Sequence, residues 1–106
     1  MDKREAVRVP VQVRARCRSH GTVIDGLVED VSWNGLFLRA SSSIGEGTAA
    51  ELDLELPGEE TLRLAVEVVR IERRGDEIGM GLRFVGRRER TRPLANFIMR
   101  QHQASR

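Results

Sequence analysis

Asp30-Val31-Ser32-Trp33-Asn34-Gly35 joins two strand-forming runs, Gly26-Leu27-Val28-Glu29 before it and Leu36-Phe37-Leu38 after it. Asn-Gly between such runs is a strong hairpin signal, because the tight turns that match strand twist need residues tolerant of positive φ. The stretch therefore predicts a strand end and a tight turn. It also carries polar chemistry. Asp30 is an anionic acceptor. Ser32, two residues on, shares its side of an extended chain and offers a donor and an acceptor. Gly35 permits close approach of a ligand or another segment to the backbone. Two readings stand at this point. The stretch is a well-made hairpin whose Asp and Ser satisfy the turn backbone, or it is part of a site for something small and polar.

The pattern on both sides of the stretch is that of short strands. Val7, Val9, Val11, Val13, Ala15 and Cys17 alternate with Arg8, Pro10, Gln12, Arg14, Arg16 and Arg18, which predicts a half-buried strand. Cys17 then faces inward as a small apolar residue and is not a reactive thiol. Pro10 cannot donate to a ladder and marks a sheet edge or strand start. Ser19-His20-Gly21 predicts a turn into a second strand over 22–32. Gly26 within it marks a bulge, or Asp25-Gly26 is itself a turn. A third strand follows over 36–40. Leu52, Leu54 and Leu56 alternate with acids in a fourth. Residues 61–72 form a fifth, whose parity slips near Val68-Val69 and predicts a bend or bulge there. Ile78, Met80, Leu82 and Phe84 define a sixth, with Gly79 and Gly81 on its other face.

After the sixth strand the period changes. Leu94, Phe97 and Ile98 recur at helical spacing, with Thr91 as a candidate N-cap and Pro93 acceptable in the first turn. Six strands and one amphipathic helix predict an all-β fold: a six-stranded antiparallel β-barrel with a C-terminal α-helix. The expected organisation is a single domain over 1–106. Residues 1–6 read as a mobile amino-terminal arm, 7–85 as the barrel, and about 91–103 as the helix.

Composition narrows the function classes. The chain has 106 residues, is 40% hydrophobic and 32% charged, and is globular in character. It has no apolar run long enough to span a membrane and no secretory leader pattern, and its one cysteine cannot form an internal disulfide. The expected location is a reducing cytoplasm. His20 and His102 are isolated, so no metal site is expected. No nucleophile elbow, phosphate-binding loop or dinucleotide fingerprint is present, so no catalysis and no cofactor are expected. Seventeen of the eighteen basic residues are arginine. Six basic residues fall in 1–18 and seven in 83–106, while 44–62 holds six acids and no base. Basic ends around an acidic middle favour an anionic partner.

Arg4 and Arg8 stand where the arm becomes a strand. A pair of guanidinium forks there suits phosphate oxygens or the O6/N7 edge of guanine. Arg4-x-x-x-Arg8, followed by Asp30-x-Ser32-x-x-Gly35, resembles the two-part signature of PilZ domains, an Arg-x-x-x-Arg motif and then Asp/Asn-x-Ser-x-x-Gly. Val9-Pro10-Val11, the Gly-Leu-Phe-Leu that leaves the turn, and Gly81-Leu82-Arg83-Phe84-Val85 match as well, so the resemblance covers essentially the whole chain.

The resemblance implies a receptor for cyclic di-GMP that signals to a downstream protein, as in motility or biofilm control. Arg4 and Arg8 would contact phosphate and guanine, Asp30 and Ser32 would hold a base, and Gly35 would allow the close turn. Lys3, just before the first motif, leans toward binding of a stacked ligand pair. Trp33 occupies a variable position of the second motif, where it could stack on a base, form a partner surface or cover the barrel. Arg83 is outward by alternation and could add a cation. The alternative is a PilZ-like protein–protein adaptor that binds no nucleotide; the presence of all five signature residues argues against it. A nucleic-acid-binding barrel is not expected, because such barrels present several stacking aromatics on one face, whereas the aromatics here are Trp33, Phe37, Phe84 and Phe97 and three of them fit a core.

Overall fold

A computed structural model describes residues 8–58, 61–86 and 92–104. Six strands run in chain order: β1 (Val9–Ser19), β2 (Thr22–Val31), β3 (Gly35–Ala40), β4 (Ala49–Glu55), β5 (Thr61–Arg74) and β6 (Glu77–Val85). They close into an antiparallel barrel in the order β1-β2-β3-β6-β5-β4, with β4 pairing back onto β1. Helix α1 (Arg92–Ala104) follows. No helix among the described residues is long and apolar enough to cross a membrane.

The alternation of β1 survives into the fold. Val9, Val11, Val13, Ala15 and Cys17 are buried, and their neighbours Arg8, Pro10, Gln12, Arg14 and Arg16 are exposed. Pro10 sits beside the strand's first residue and just before a register irregularity, where a missing N–H costs no regular ladder bond. Burial pushes the Cys17 thiol up to about 11, so it is a core group and not a nucleophile at neutral pH. The core fills the barrel with Val28, Val31, Leu36, Leu38, Leu52, Leu54, Leu64, Val66, Val68, Met80 and Leu82. Leu94, Phe97 and Ile98 of α1 join this cluster, so the helix buries one stripe against the barrel, as their spacing predicts. The candidate cap Thr91 lies outside the described residues.

The bend or bulge expected in the fifth strand takes the form of a register shift against β6 between Val68 and Arg70. Gly26 differs from both expectations. It is in register with Ala15, and the β1–β2 turn falls at His20-Gly21. A Cβ at Gly26 would lie 2.5 Å from the Arg39 carbonyl oxygen, so close contact with β3 is what requires glycine there.

Phe37 also differs from the reading that placed it in the core. It is 3% exposed, yet it lies between the inward Leu36 and Leu38 and is not part of the core cluster. Its ring lies on the outer wall. A Cβ at Gly79 would come within 2.1 Å of Phe37 Cζ, so the glycine of β6 makes room for the ring. Arg74 and Arg70 of β5 cover it, with guanidinium carbons 4.8 and 5.3 Å from the ring centroid. Glu72 and Glu29 hold those arginines in place, at 2.8 Å for Arg70–Glu72 and 3.2 Å for Arg74–Glu29. Hydrogen bonds from Arg70 and then Arg74 keep the Glu72 carboxyl below its ordinary range.

Candidate functional site

The β2–β3 turn is built by hydrogen bonds around Ser32. The Ser32 N–H donates to the Gly35 carbonyl at 2.8 Å and closes the hairpin, which leaves Trp33 and Asn34 at its tip. The Asn34 N–H donates to the Ser32 hydroxyl at 3.2 Å, and that hydroxyl donates to the Gly35 carbonyl at 3.4 Å. Ser32 is 2% exposed. Its side chain therefore organises the turn from within, as an ST-type motif does.

The turn differs from the sequence expectation in one respect. Neither Asn34 nor Gly35 has a positive φ. Gly35 is the first residue of β3, paired with Arg83 of β6. A Cβ on it would lie 2.0 Å from the Leu82 carbonyl oxygen. Glycine is required by the neighbouring strand and not by the conformation of the turn. The tip is tied to the same strand, because the Phe84 N–H donates to the Asn34 carbonyl at 2.8 Å.

Asp30 stands at the foot of this turn. It lies across from Pro10 in β1 and from Phe37 in β3. Register irregularities flank it on both sides, between Pro10 and Val13 in the β1/β2 pairing and between Val28 and Asp30 in the β2/β3 pairing. Bulges of this kind re-aim side chains. Glu29 goes to Arg74 of the Phe37 cluster and to Arg39, and Asp30 goes to Arg8, with which it forms a hydrogen-bonded ion pair. That pair is partly exposed, at 43% for the Arg8 side chain and 30% for Asp30.

The structure thus brings Arg8, Asp30, Ser32 and Gly35 to one end of the barrel wall. Arg83 stands across from Gly35, with its guanidinium ion-paired to Glu67 of β5. Trp33 projects from the tip, 47% exposed. Lys3 and Arg4 lie outside the described residues, as do Arg87, Arg88 and Arg90.

An open groove of about 450 Å³ lies elsewhere, between Arg14, Arg16, Asp25, Arg39, Glu55 and Glu77, and among the described residues none of either motif lines it. Its charges largely satisfy one another, with Arg16–Asp25 at 2.7 Å and Arg39–Glu77 at 3.8 Å. The residues that sequence reasoning missed are those around Phe37. Their signal is present in the chain: two glycines spaced by one in β6, which leave a bare strip that a neighbouring ring can cover.

The fold defines a small closed β-barrel with a C-terminal helix, bearing a paired cation and carboxylate beside a tight turn. The family model described as the PilZ domain matches residues 2–100, and the chain belongs to that family. Solved structures agree in fold. The PilZ domain with c-di-GMP of YcgR from Escherichia coli superimposes with a TM-score of 0.82 at 12% identity, covering 94% of this chain and 92% of that one. The Bacillus subtilis inhibitor of motility (MotI/DgrA) gives 0.78 at 19% identity, and the 94% of this chain that aligns spans only 51% of that protein. The PilZ domain of CeSA from a cellulose-synthesizing bacterium gives 0.66 at 15% identity, covering 94% and 99%. No curated protein matches the chain in sequence.

Proposed function

We propose that this PilZ domain is a receptor for cyclic di-GMP that acts in the cytoplasm and passes the signal to a downstream protein, with no catalytic step of its own. The observation that carries the reading is the Arg8–Asp30 ion pair. Two residues 22 apart in the chain, one from each motif, meet on the barrel wall. Arg8 offers a planar fork suited to a phosphate or a guanine edge, and Asp30 offers acceptors for a guanine N–H edge. Arg4 would supply a second fork from the segment before β1. Lys3 and Arg83 are further candidate cations.

Energetics support a site with several charged contacts. A micromolar affinity corresponds to about −8 kcal/mol. Fixing a backbone residue costs on the order of 1–2 kcal/mol, so gathering the amino-terminal segment around a ligand requires charge-assisted bonds in excess of that cost. The ligand must also replace the interaction that Arg8 and Asp30 make with each other.

Titration calorimetry with cyclic di-GMP tests the reading. Wild type is expected to bind. Arg4→Ala and Arg8→Ala are each expected to lose affinity by at least about thirtyfold, the scale of a charged hydrogen bond lost, with an unchanged circular dichroism spectrum. Asp30→Ala is expected to lose selectivity against cyclic di-AMP in competition. Wild-type affinity in both arginine variants would defeat the proposal.

A second reading has its own observation. Ser32 and Gly35 are fully engaged by the turn and by β6, so the second motif has a structural reason to exist without any ligand. On that reading the domain is an adaptor that binds protein partners only. Absence of calorimetric heat in wild type, with a partner retained irrespective of nucleotide, would select it.

A further inference from the structure

We infer that Trp33 is a base-stacking platform of the nucleotide site, a deepening that rests on the receptor reading above. Four large apolar side chains are exposed among the described residues, Val23, Trp33, Val69 and Met99. Of these, Trp33 belongs to the turn whose foot carries Asp30. Its backbone is held on both sides. Ser32 before it closes the hairpin onto Gly35, and Asn34 after it is bonded to the Ser32 hydroxyl and to the Phe84 N–H.

Nearly half of Trp33 stays in water, so part of its indole is open to a ligand. It offers a large flat face on a turn whose backbone is held by hydrogen bonds on both sides. Arg8, Asp30 and Arg83 can meet the phosphates and the polar edge of a guanine, but none of them provides an apolar face of comparable area for the ring itself. Indole does, and base–aromatic stacking needs no hydrogen-bond match. The division of labour follows from the chemistry. Asp30 reads the edge of the purine, and Trp33 packs on its face. Arg83, across from Gly35 at the root of the turn, supplies a nearby cation for the adjoining phosphate.

Trp33 is the chain's one tryptophan, so its emission reports this turn alone. The test is a titration of the full chain with cyclic di-GMP, read by intrinsic fluorescence and by calorimetry, on wild type, Trp33→Ala and Trp33→Phe. Wild-type emission is expected to change and to saturate at the calorimetric stoichiometry. Trp33→Ala is expected to bind roughly tenfold more weakly or worse, the scale of one lost stack. Trp33→Phe, which keeps an aromatic face, is expected to stay within about threefold of wild type. Both variants should keep the wild-type circular dichroism spectrum. Wild-type affinity in Trp33→Ala, or an emission that does not move through saturation, would overturn the stacking role and leave the receptor reading intact. No heat in wild type itself would overturn both.

Discussion

Two of the barrel's hairpin turns, β1–β2 and β2–β3, each carry a glycine, and the two glycines are there for different reasons. At the β1–β2 turn, His20 and Gly21 both have positive φ, at 47° and 84°. A Cβ on Gly21 would meet nothing within 4 Å. That turn is local chemistry: a left-handed backbone favours glycine whatever surrounds it. At the β2–β3 turn, neither Asn34 nor Gly35 is left-handed, and a Cβ on Gly35 would strike the Leu82 carbonyl. That glycine answers to another strand. The first turn only reverses the chain. The second carries Asp30 at its foot and Trp33 at its tip, and it is welded to β6 through Gly35, Asn34 and Phe84. A turn that must present side chains in a fixed geometry draws its rigidity from the sheet beside it.

The difference can be broken most directly at Gly35. Gly35→Ala must push β3 away from β6, and a loss of stability on the order of 3 kcal/mol is expected by urea denaturation, as for other overpacked sites. A loss below that of Gly21→Ala would remove the distinction between the two turns. Ser32→Ala is expected to cost less, about 1–2 kcal/mol, because it removes the buried hydroxyl that bonds to the Asn34 N–H and the Gly35 carbonyl. The same variant sharpens the functional question. If Ser32 acts only on the turn, nucleotide affinity should fall by no more than the loosening of Asp30 and Trp33 explains, and the binding enthalpy should keep its wild-type value within error. A large loss of enthalpy would assign Ser32 a direct bond to the ligand. Gly21→Ala should be the mildest, about 1 kcal/mol for forcing an L-residue into the left-handed region, with no effect on binding. Any loss of affinity there would mean that the two ends of the barrel are coupled.

Much of the architecture was legible in the chain. Alternation in β1, β4 and β6 marked the inward residues, because a strand with one wet face has a period of two. The parity slip at Val68-Val69 marked the β5 bulge, and Leu94, Phe97 and Ile98 marked the stripe of α1. Arg8 and Asp30 were legible as candidate site residues from their chemistry and spacing. Phe37 was misplaced into the core, since an aromatic between two leucines looks apolar by composition. What moved it outside was a pair of glycines some 40 residues away and two arginines of β5, and no local pattern links them.

The amino-acid sequence by itself determined the number and order of strands, the helix and its buried face, and the residue types able to meet an anionic purine nucleotide. These follow from periodicity and side-chain chemistry, which act over a few residues. Tertiary structure alone decided that Arg8 and Asp30 pair, that Ser32 is spent inside its own turn, that Gly35 yields to the Leu82 carbonyl, and that Trp33 stands in solvent. Each of these depends on which strands become neighbours and in what register, and a shift of one residue in that register would reverse every face. The Asp30–Gly35 stretch reads as a hairpin from its own residues; it becomes half of a candidate site only because strand pairing sets β1 on one side of it and β6 on the other.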